Sequence, residues 1–253
     1  MVGPTGSGKS TTIYSILNAL NTTDRKIITL EDPIEYGITG ISQIPINTSG
    51  GGSFADGLRS VLRLDPDVVM VGEIRDADTA KTAIQASITG HLVLSSFHAN
   101  SSSAAFSRMI DLIGTNPVFS SSIRLVIAQR LIRKLSDSKT PRQATEAETK
   151  YIKTALENVS SSIMPGIDLS NITLYDPNPT EEHPFGFSGR TVIMEQLVVS
   201  EDIQAYIRGD VTDINTDAIE KTAKQNGMLT LEQKGILAAL RGETTLEEIS
   251  RVI

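Results

Sequence analysis

Short, continuous apolar runs alternate with amphipathic stretches over the first 135 residues. The runs Lys26–Leu30, Val68–Gly72 and His91–Ser95 do not alternate apolar with polar positions, which suits strands buried on both faces of a parallel sheet. Helices are predicted between them. Lys9–Leu20 follows a glycine-rich turn, and Ser53–Leu64 gathers Phe54, Leu58, Val61 and Leu62 on one face. Asp76–Thr89, Ser102–Leu112 and Pro117–Leu135 complete the set. The last ends in Arg130, Arg133 and Lys134, cations that suit a helix C-terminus. This alternation predicts an α/β core with a mostly parallel sheet.

Residues 136–190 change character. Pro141, Pro165, Pro177, Pro179 and Pro184 interrupt the segment, and only Thr145–Val159 reads as a helix. Thr191–Val199 returns as a strand. The tail reads as helices, with capping-box signals at Thr230/Gln233 and Thr245/Glu248. The predicted organisation is therefore a core over 1–135, an irregular insertion over 136–190, and a strand plus a smaller, mainly helical C-terminal subdomain over 191–253.

Composition removes several function classes. The chain has 253 residues, 39% hydrophobic and 21% charged, so it is long enough to bury a core and is not disordered. Cysteine is absent, which leaves no thiolate for a disulfide, zinc or iron–sulfur site and fits a reducing compartment. No zinc is expected. No apolar run approaches the ~20 residues of a spanning helix, so no transmembrane segment is expected. The net charge is −7, and it is concentrated late: 12 Lys and Arg face 11 Asp and Glu up to residue 135, but 11 face 19 after it. An acidic chain with 4% aromatic residues and no tryptophan is poorly built to hold a nucleic-acid backbone or stack its bases.

The opening segment carries the clearest chemistry. Gly3-Pro4-Thr5-Gly6-Ser7-Gly8-Lys9-Ser10 matches the phosphate-binding loop G-x-x-x-x-G-K-[ST]. Glycines let the backbone turn tightly around an anion, the following helix points its positive end at it, Lys9 reaches the β- and γ-phosphates, and Ser10 offers a hydroxyl to Mg²⁺. Thr11 follows in the same first turn. A buried strand normally feeds such a loop, and only Met1 and Val2 precede it here. The simplest reading is a shortened chain with its first strand missing, expected to be poorly stable or inactive by itself.

A second acidic element, Asp67-Val-Val-Met-Val-Gly-Glu73, ends a strand with a carboxylate that either holds Mg²⁺, directly or through water, or simply faces solvent. A third group, Glu31-Asp32-Pro33-Ile34-Glu35, is either a solvated acidic turn or the source of a water-activating glutamate. His91 and His98 bracket one strand. Seven residues apart, they face opposite sides and make a poor metal pair; each is either structural or a donor to a γ-phosphate. Arg59, Arg63 and Arg75 flank the acidic strands, where an arginine can stabilise a phosphoryl transition state or merely pair with Asp65, Asp67 or Asp76.

Together these segments resemble the type II secretion and type IV pilus assembly ATPases. GPTGSGKSTT (3–12), ITLEDPIEY (28–36), LRLDPDVVMVGEIRD (62–76) and TGHLVLSSFHAN (89–100) stand in the order of that family's Walker A, Asp box, Walker B and His box. QRLIRKL (129–135) and the tail 227–253 extend the likeness, and the tail favours the assembly, or extension, branch. The resemblance implies a RecA-like core, ATP and Mg²⁺ as ligands, and a homohexameric ring. It implies a cytoplasmic ring on the inner-membrane face, driving pilin or pseudopilin polymerisation through a membrane platform protein. It implies Glu35 as the base, Glu73 as the Mg²⁺-linked carboxylate, Arg75 beside them, and His91 and His98 near the γ-phosphate. A related ring ATPase of conjugation and an inactive fragment are the alternatives. Many members bind zinc through paired cysteines after the QRL segment. None are present here, so packing by residues such as Tyr175, Phe185 and Phe187 is expected to hold that region together.

Overall fold

The computed structural model describes residues Met1–Ile253. In chain order the elements are α1 (Lys9–Leu20), β1 (Ile27–Glu31), β2 (Ser42–Pro45), α2 (Phe54–Val61), β3 (Val68–Glu73), α3 (Ala77–Ile88), β4 (Leu92–Ser96), α4 (Ser102–Ile113) and β5 (Leu125–Leu135). They continue as β6 (Thr140–Gln143), α5 (Glu146–Leu156), β7 (Thr173–Asp176), β8 (Phe187–Val198), α6 (Glu201–Arg208), α7 (Thr216–Gln225), α8 (Leu231–Leu240) and α9 (Leu246–Val252). They form two compact units, each discontinuous in sequence. The first holds 1–128 and 196–228, and the second 129–195 and 229–253. The stretch 191–253, read from sequence as one piece, is thus shared between them.

In the first unit the strands run in the order β2-β1-β3-β4, all pairs parallel. β1 is buried at every position and β3 at its first four, as continuous apolar runs require. Val2 forms parallel bridges to Phe97 on one side and Ala128 on the other. Two residues therefore stand where the sequence suggested an empty slot, and they set the direction in which the glycine loop leaves the sheet. On one face Ile13, Tyr14 and Leu17 of α1 pack on Ile27, Val68 and Met70. A separate cluster joins α4, α6 and α7 through Phe106, Ile110, Ile203, Tyr206, Ile207 and Ile219. The side chain of Ser53 caps α2 and that of Asp76 caps α3.

Two sequence expectations fail here, for identifiable reasons. Pro117–Leu135 is not a helix: only Pro117–Phe119 makes a short 3₁₀ turn, and Leu125–Leu135 is a strand. Its Ala, Gln, Arg and Leu favour helix, yet pairing with Val2 and with β8 overrides that propensity. β2 escaped notice because it is four residues long and ends in Pro45. That residue is tolerated at a sheet edge, where β2 lies.

In the second unit β6 and β7 pair antiparallel, and α5 and α8 enclose an aliphatic core of Ile152, Leu156, Ile172, Leu174, Ile236 and Leu237. The expected aromatic packing is only partial, with Tyr175 and Phe187 half-buried. Phe185 is 81% exposed. Phe187 lies beneath the Arg133 guanidinium, and Tyr175 lies beneath the Lys139 ammonium. α8 crosses α9 so closely that a Cβ on Gly235 would come within 2.8 Å of Ile249. Thr145 and Thr230 form complete capping boxes with Glu148 and Gln233. Thr245 caps α9, but Glu248 does not complete a box there. Its buried carboxylate instead accepts from the backbone N–H and side chain of Arg133 and from Arg251.

Two carboxylates in this unit are strongly acidic. Arg142 grips Glu148 with both terminal nitrogens, at 2.8 and 2.6 Å, and holds it at about 2. Burial alone would push Glu248 up, but the hydrogen bonds from Arg251 and Arg133 outweigh it and hold it at about 2 as well. A folded value below the ordinary 4.5 means that the ionised group stabilises the fold above about pH 4.5, and that this is lost as pH falls towards 2. Thermal unfolding followed from pH 7 to pH 2.5 is therefore expected to show the second unit losing stability steeply below pH 4.5, by about 3 kcal/mol for Glu248 alone. Glu248→Gln should flatten that slope while lowering stability at pH 7.

Candidate functional site

The glycine loop leaves the sheet at Val2 and enters α1 at Lys9. Gly6 (φ 79°) and Gly8 (φ 85°) lie in the left-handed region that side-chain-bearing residues avoid, which is why the turn needs glycine there. Gly8 is the N-cap of α1, and it brings no side-chain cap to the first-turn N–H groups. An anion at this end meets backbone donors and the positive end of the helix together. Lys9 folds back over the loop, its Nζ donating to the carbonyls of Gly3 and Pro4 at 2.9 Å each. Ser10 and Thr11 are exposed on the first turn, and Ser7 is buried within the loop.

Because the strands are parallel, their carboxyl ends meet at the edge where this loop lies. Glu73 closes β3 with a side chain only 14% exposed; it pairs with Arg75 and stands 3.5 Å from His98 Nε2. The ends of β3 and β4 are tied by Ser96 Oγ on the Gly72 carbonyl and by the Ile74 N–H on the Ser96 carbonyl. His98 follows β4 and, with Gly3, Pro4, Asn100 and Arg108, lines a cavity of about 400 Å³ beside the phosphate loop. Arg108 donates to the His98 carbonyl at 3.2 Å and covers the Phe97 ring. The hydrogen bond that Arg75 donates to Glu73 also holds the guanidinium more firmly protonated than usual.

The three carboxylates after β1 diverge rather than crowd. Glu31 turns inward and is buried, receiving Thr29 Oγ1 at 2.5 Å, Gln43 Nε2 at 3.1 Å and the Tyr14 hydroxyl. Asp32, which precedes a cis proline, accepts from Thr48. Glu35 is exposed on the loop that follows, and its backbone N–H donates to Tyr14 Oη at 3.3 Å.

The structure thus brings Gly3–Thr11, Glu73, Arg75 and His98 to one edge, with the Glu35 loop hung from α1. His91 does not join them. It precedes β4 at the opposite edge, where its Nδ1 meets the Ala86 carbonyl at 3.0 Å and Thr89 Oγ1 at 3.1 Å. Seven residues of extended chain put it roughly 23 Å from His98. Arg59 is likewise a surface residue, paired with Asp56 and Asp78. The sequence reading missed Tyr14, Gln43, Asn100 and Arg108. Only Tyr14 left a signal, as a hydroxyl on the buried face of the helix that starts at Lys9.

A phosphate loop on a parallel sheet, with a strand-end carboxylate beside it, defines a P-loop nucleotide-binding fold of the RecA-like kind. The chain belongs to the Type II/IV secretion system protein family, whose model matches residues 1–251. It is 42% identical over 252 residues to "Type II secretion system protein E" of Xanthomonas campestris, with all of this chain and 42% of that protein aligned. It is 43% identical to the protein of the same name in Pseudomonas aeruginosa and 41% identical to "Type II secretion system ATPase E" of Vibrio cholerae. In both cases all of this chain and 47% of the relative align, so the chain spans about half the length of the curated relatives it matches. Among solved structures, the pilus retraction motor PilT with bound ADP matches with TM-score 0.66 and 30% identity, covering 99% of this chain and 59% of that one. The ATPase DotB of Legionella pneumophila shares the fold at TM-score 0.66 and 24% identity, covering 99% of this chain and 58% of that one. No helix is long and apolar enough to cross a membrane.

Proposed function

We propose that this chain is the ATP-hydrolysing part of a motor for type II protein secretion or type IV pilus assembly. What supports it is a cavity lined by Gly3, Pro4 and His98, with Lys9 bonded to the Gly3 and Pro4 carbonyls and Glu73 3.5 Å from His98. Relatives named for type II secretion at 41–43% identity favour the secretion and assembly side over retraction.

In this reading the loop Gly3–Gly8 wraps the phosphates with backbone N–H groups, and Lys9 exchanges its two carbonyl partners for β- and γ-phosphate oxygens. Ser10 and Glu73 suit Mg²⁺: a hydroxyl and a carboxylate are the oxygen donors that this hard cation takes, usually alongside water. Bound there, Mg²⁺ would offset the charge gathering on the phosphates during transfer. Glu35, exposed on its loop, accepts a proton from the attacking water and orients it towards the γ-phosphorus. His98 stands between Glu73 and the cavity, able to donate to a γ-phosphate oxygen. Arg75, held by Glu73, supplies a cation that the γ-phosphate can compete for.

His91, far from this edge within one chain, has no role at the same chain's nucleotide in this reading. Assembly into a homohexamer, with the ring on the cytoplasmic face of the inner membrane against a platform protein, extends the reading from the family to this chain. The acidic charge disfavours the alternative of a DNA-transfer motor. Phosphate release from ATP tests the proposal. Turnover should require Mg²⁺ and fall to background in EDTA, and double-stranded DNA should leave it unchanged. Stimulation by DNA would move the assignment to the conjugation motors, and an absence of turnover with Mg²⁺ present would refute hydrolysis by this chain.

A further inference from the structure

Tyr14 is the most unusual polar residue of the first unit. Its side chain is buried, at 1% exposure, in the apolar cluster under α1, yet its hydroxyl serves two partners. It donates to the buried Glu31 carboxylate and accepts the Glu35 backbone N–H at 3.3 Å. Burial, and then the hydrogen bond to Glu31, push the phenol well above its ordinary value, so it stays a hydroxyl that can give one hydrogen bond and accept another. Its ring meets the Tyr36 ring edge-on, with centroids 4.7 Å apart.

Gln43 acts on the same loop from the other side. Its Nε2 donates to Glu31 Oε1 and to the Tyr36 carbonyl at 3.1 Å, and its Oε1 accepts the Ile38 N–H at 2.7 Å. The loop 32–38 is thus suspended at Glu35, Tyr36 and Ile38 from a buried node whose centre is Glu31. One strut of that node, Tyr14, stands on the same helix as Lys9, five residues further on.

We propose that Tyr14 is a positioning residue for hydrolysis: braced by Glu31 and Gln43, it fixes the Glu35 loop relative to the helix that carries Lys9 and Ser10. A base on an exposed loop would otherwise sample many orientations, and a misplacement of about 1 Å can cost on the order of 10²-fold in rate. The node replaces that freedom with three hydrogen bonds rooted in a buried carboxylate, where an unmade bond is costly. Movement of α1 when phosphate enters the loop is passed to Glu35 by the same contact. The inference rests on Glu35 being the water-activating group.

Amide hydrogen exchange and nucleotide kinetics on the same protein test it, with Tyr14→Phe, Gln43→Met and Glu35→Ala compared. Tyr14→Phe keeps the ring and loses only the hydroxyl. It is expected to raise exchange of the 33–38 amides at least tenfold while leaving strands β1 and β3 protected. It should lower kcat 10- to 100-fold with KM and ATP-analogue affinity within about threefold. Gln43→Met should loosen the same segment without touching α1, and it serves if Tyr14→Phe misfolds. Exchange at 33–38 equal to the unaltered protein in both variants would overturn the inference whether or not the protein turns over ATP. Faster exchange with an unchanged kcat would also overturn it. Glu35→Ala separates the two ideas: if that variant keeps full turnover, the base assignment fails by itself, and the exchange result still decides whether Tyr14 holds the loop.

Discussion

Lys9→Ala is expected to abolish hydrolysis and to remove most of the affinity for nucleotide. The Lys9 ammonium already sits over the loop, 2.9 Å from the carbonyls of Gly3 and Pro4, so it needs only to change partners when phosphate arrives. Without it, the triphosphate charge meets backbone dipoles and a helix end alone, and those fixed partial charges amount to about half a unit. Removing a preorganised donor to developing charge typically costs 10²–10³ in rate. Titration with a fluorescent ATP analogue should show affinity falling about 100-fold. Phosphate release should fall by at least as much. Lys9 lies on the partly exposed first turn of α1 and contributes nothing to the cluster beneath, so thermal stability without nucleotide should change little. Binding within threefold of the unaltered protein would place the nucleotide elsewhere.

Glu35→Ala is expected to separate binding from chemistry. Its carboxylate is exposed and touches neither the glycine loop nor Lys9 in any contact seen here, so analogue affinity should stay within a few-fold. General-base assistance is worth about 10²–10⁴ in rate, and single-turnover phosphate release should fall by that factor. The backbone N–H that Tyr14 holds belongs to residue 35 whatever its side chain, so the loop keeps its tether in this variant. A loss of affinity equal to the loss of rate would mean that Glu35 binds nucleotide rather than activating water. Full turnover would transfer the role to Glu73, the other carboxylate at this edge.

Most of the site was legible because it is local in sequence. Eight residues of a fixed pattern set the glycine turn, and α1 begins at Lys9 as that pattern requires. Continuous apolar runs gave β1, β3 and β4 to within a residue or two; β1 and most of β3 are buried on both faces, where no polar alternation is admitted, while β4 is only partly buried. What the sequence concealed depends on distant partners. The strand at 125–135 has helix-favouring residues and exists because Val2 and β8 pair with it. The placement of His91 and His98 at opposite edges follows from strand direction: both bracket β4, but only its carboxyl end faces the phosphate loop. Nor could spacing reveal that Glu31 points into the core while Glu35, four residues on, faces solvent. Tyr14 and Gln43 decide that, and they come from a helix and an edge strand.

The family likeness carried roles that residue patterns left open, and one of its expectations does not hold within a single chain, that His91 lies near the γ-phosphate. The aromatic packing expected after residue 136 in place of cysteine ligands is limited to Tyr175 and Phe187, beside an aliphatic core and arginine–carboxylate bonds at Glu148 and Glu248. Both corrections concern long-range packing, which local patterns encode only weakly.

A structure of the protein with a non-hydrolysable ATP analogue and Mg²⁺ tests the central claim most directly. The β- and γ-phosphates are expected to be cradled by residues 3–10 within hydrogen-bond reach of Lys9 Nζ, with the cation on Ser10, Glu73 behind it, and Glu35 and His98 facing the γ-phosphate. Nucleotide bound away from the glycine loop, or a γ-phosphate approached by neither Glu73 nor Glu35, would contradict it.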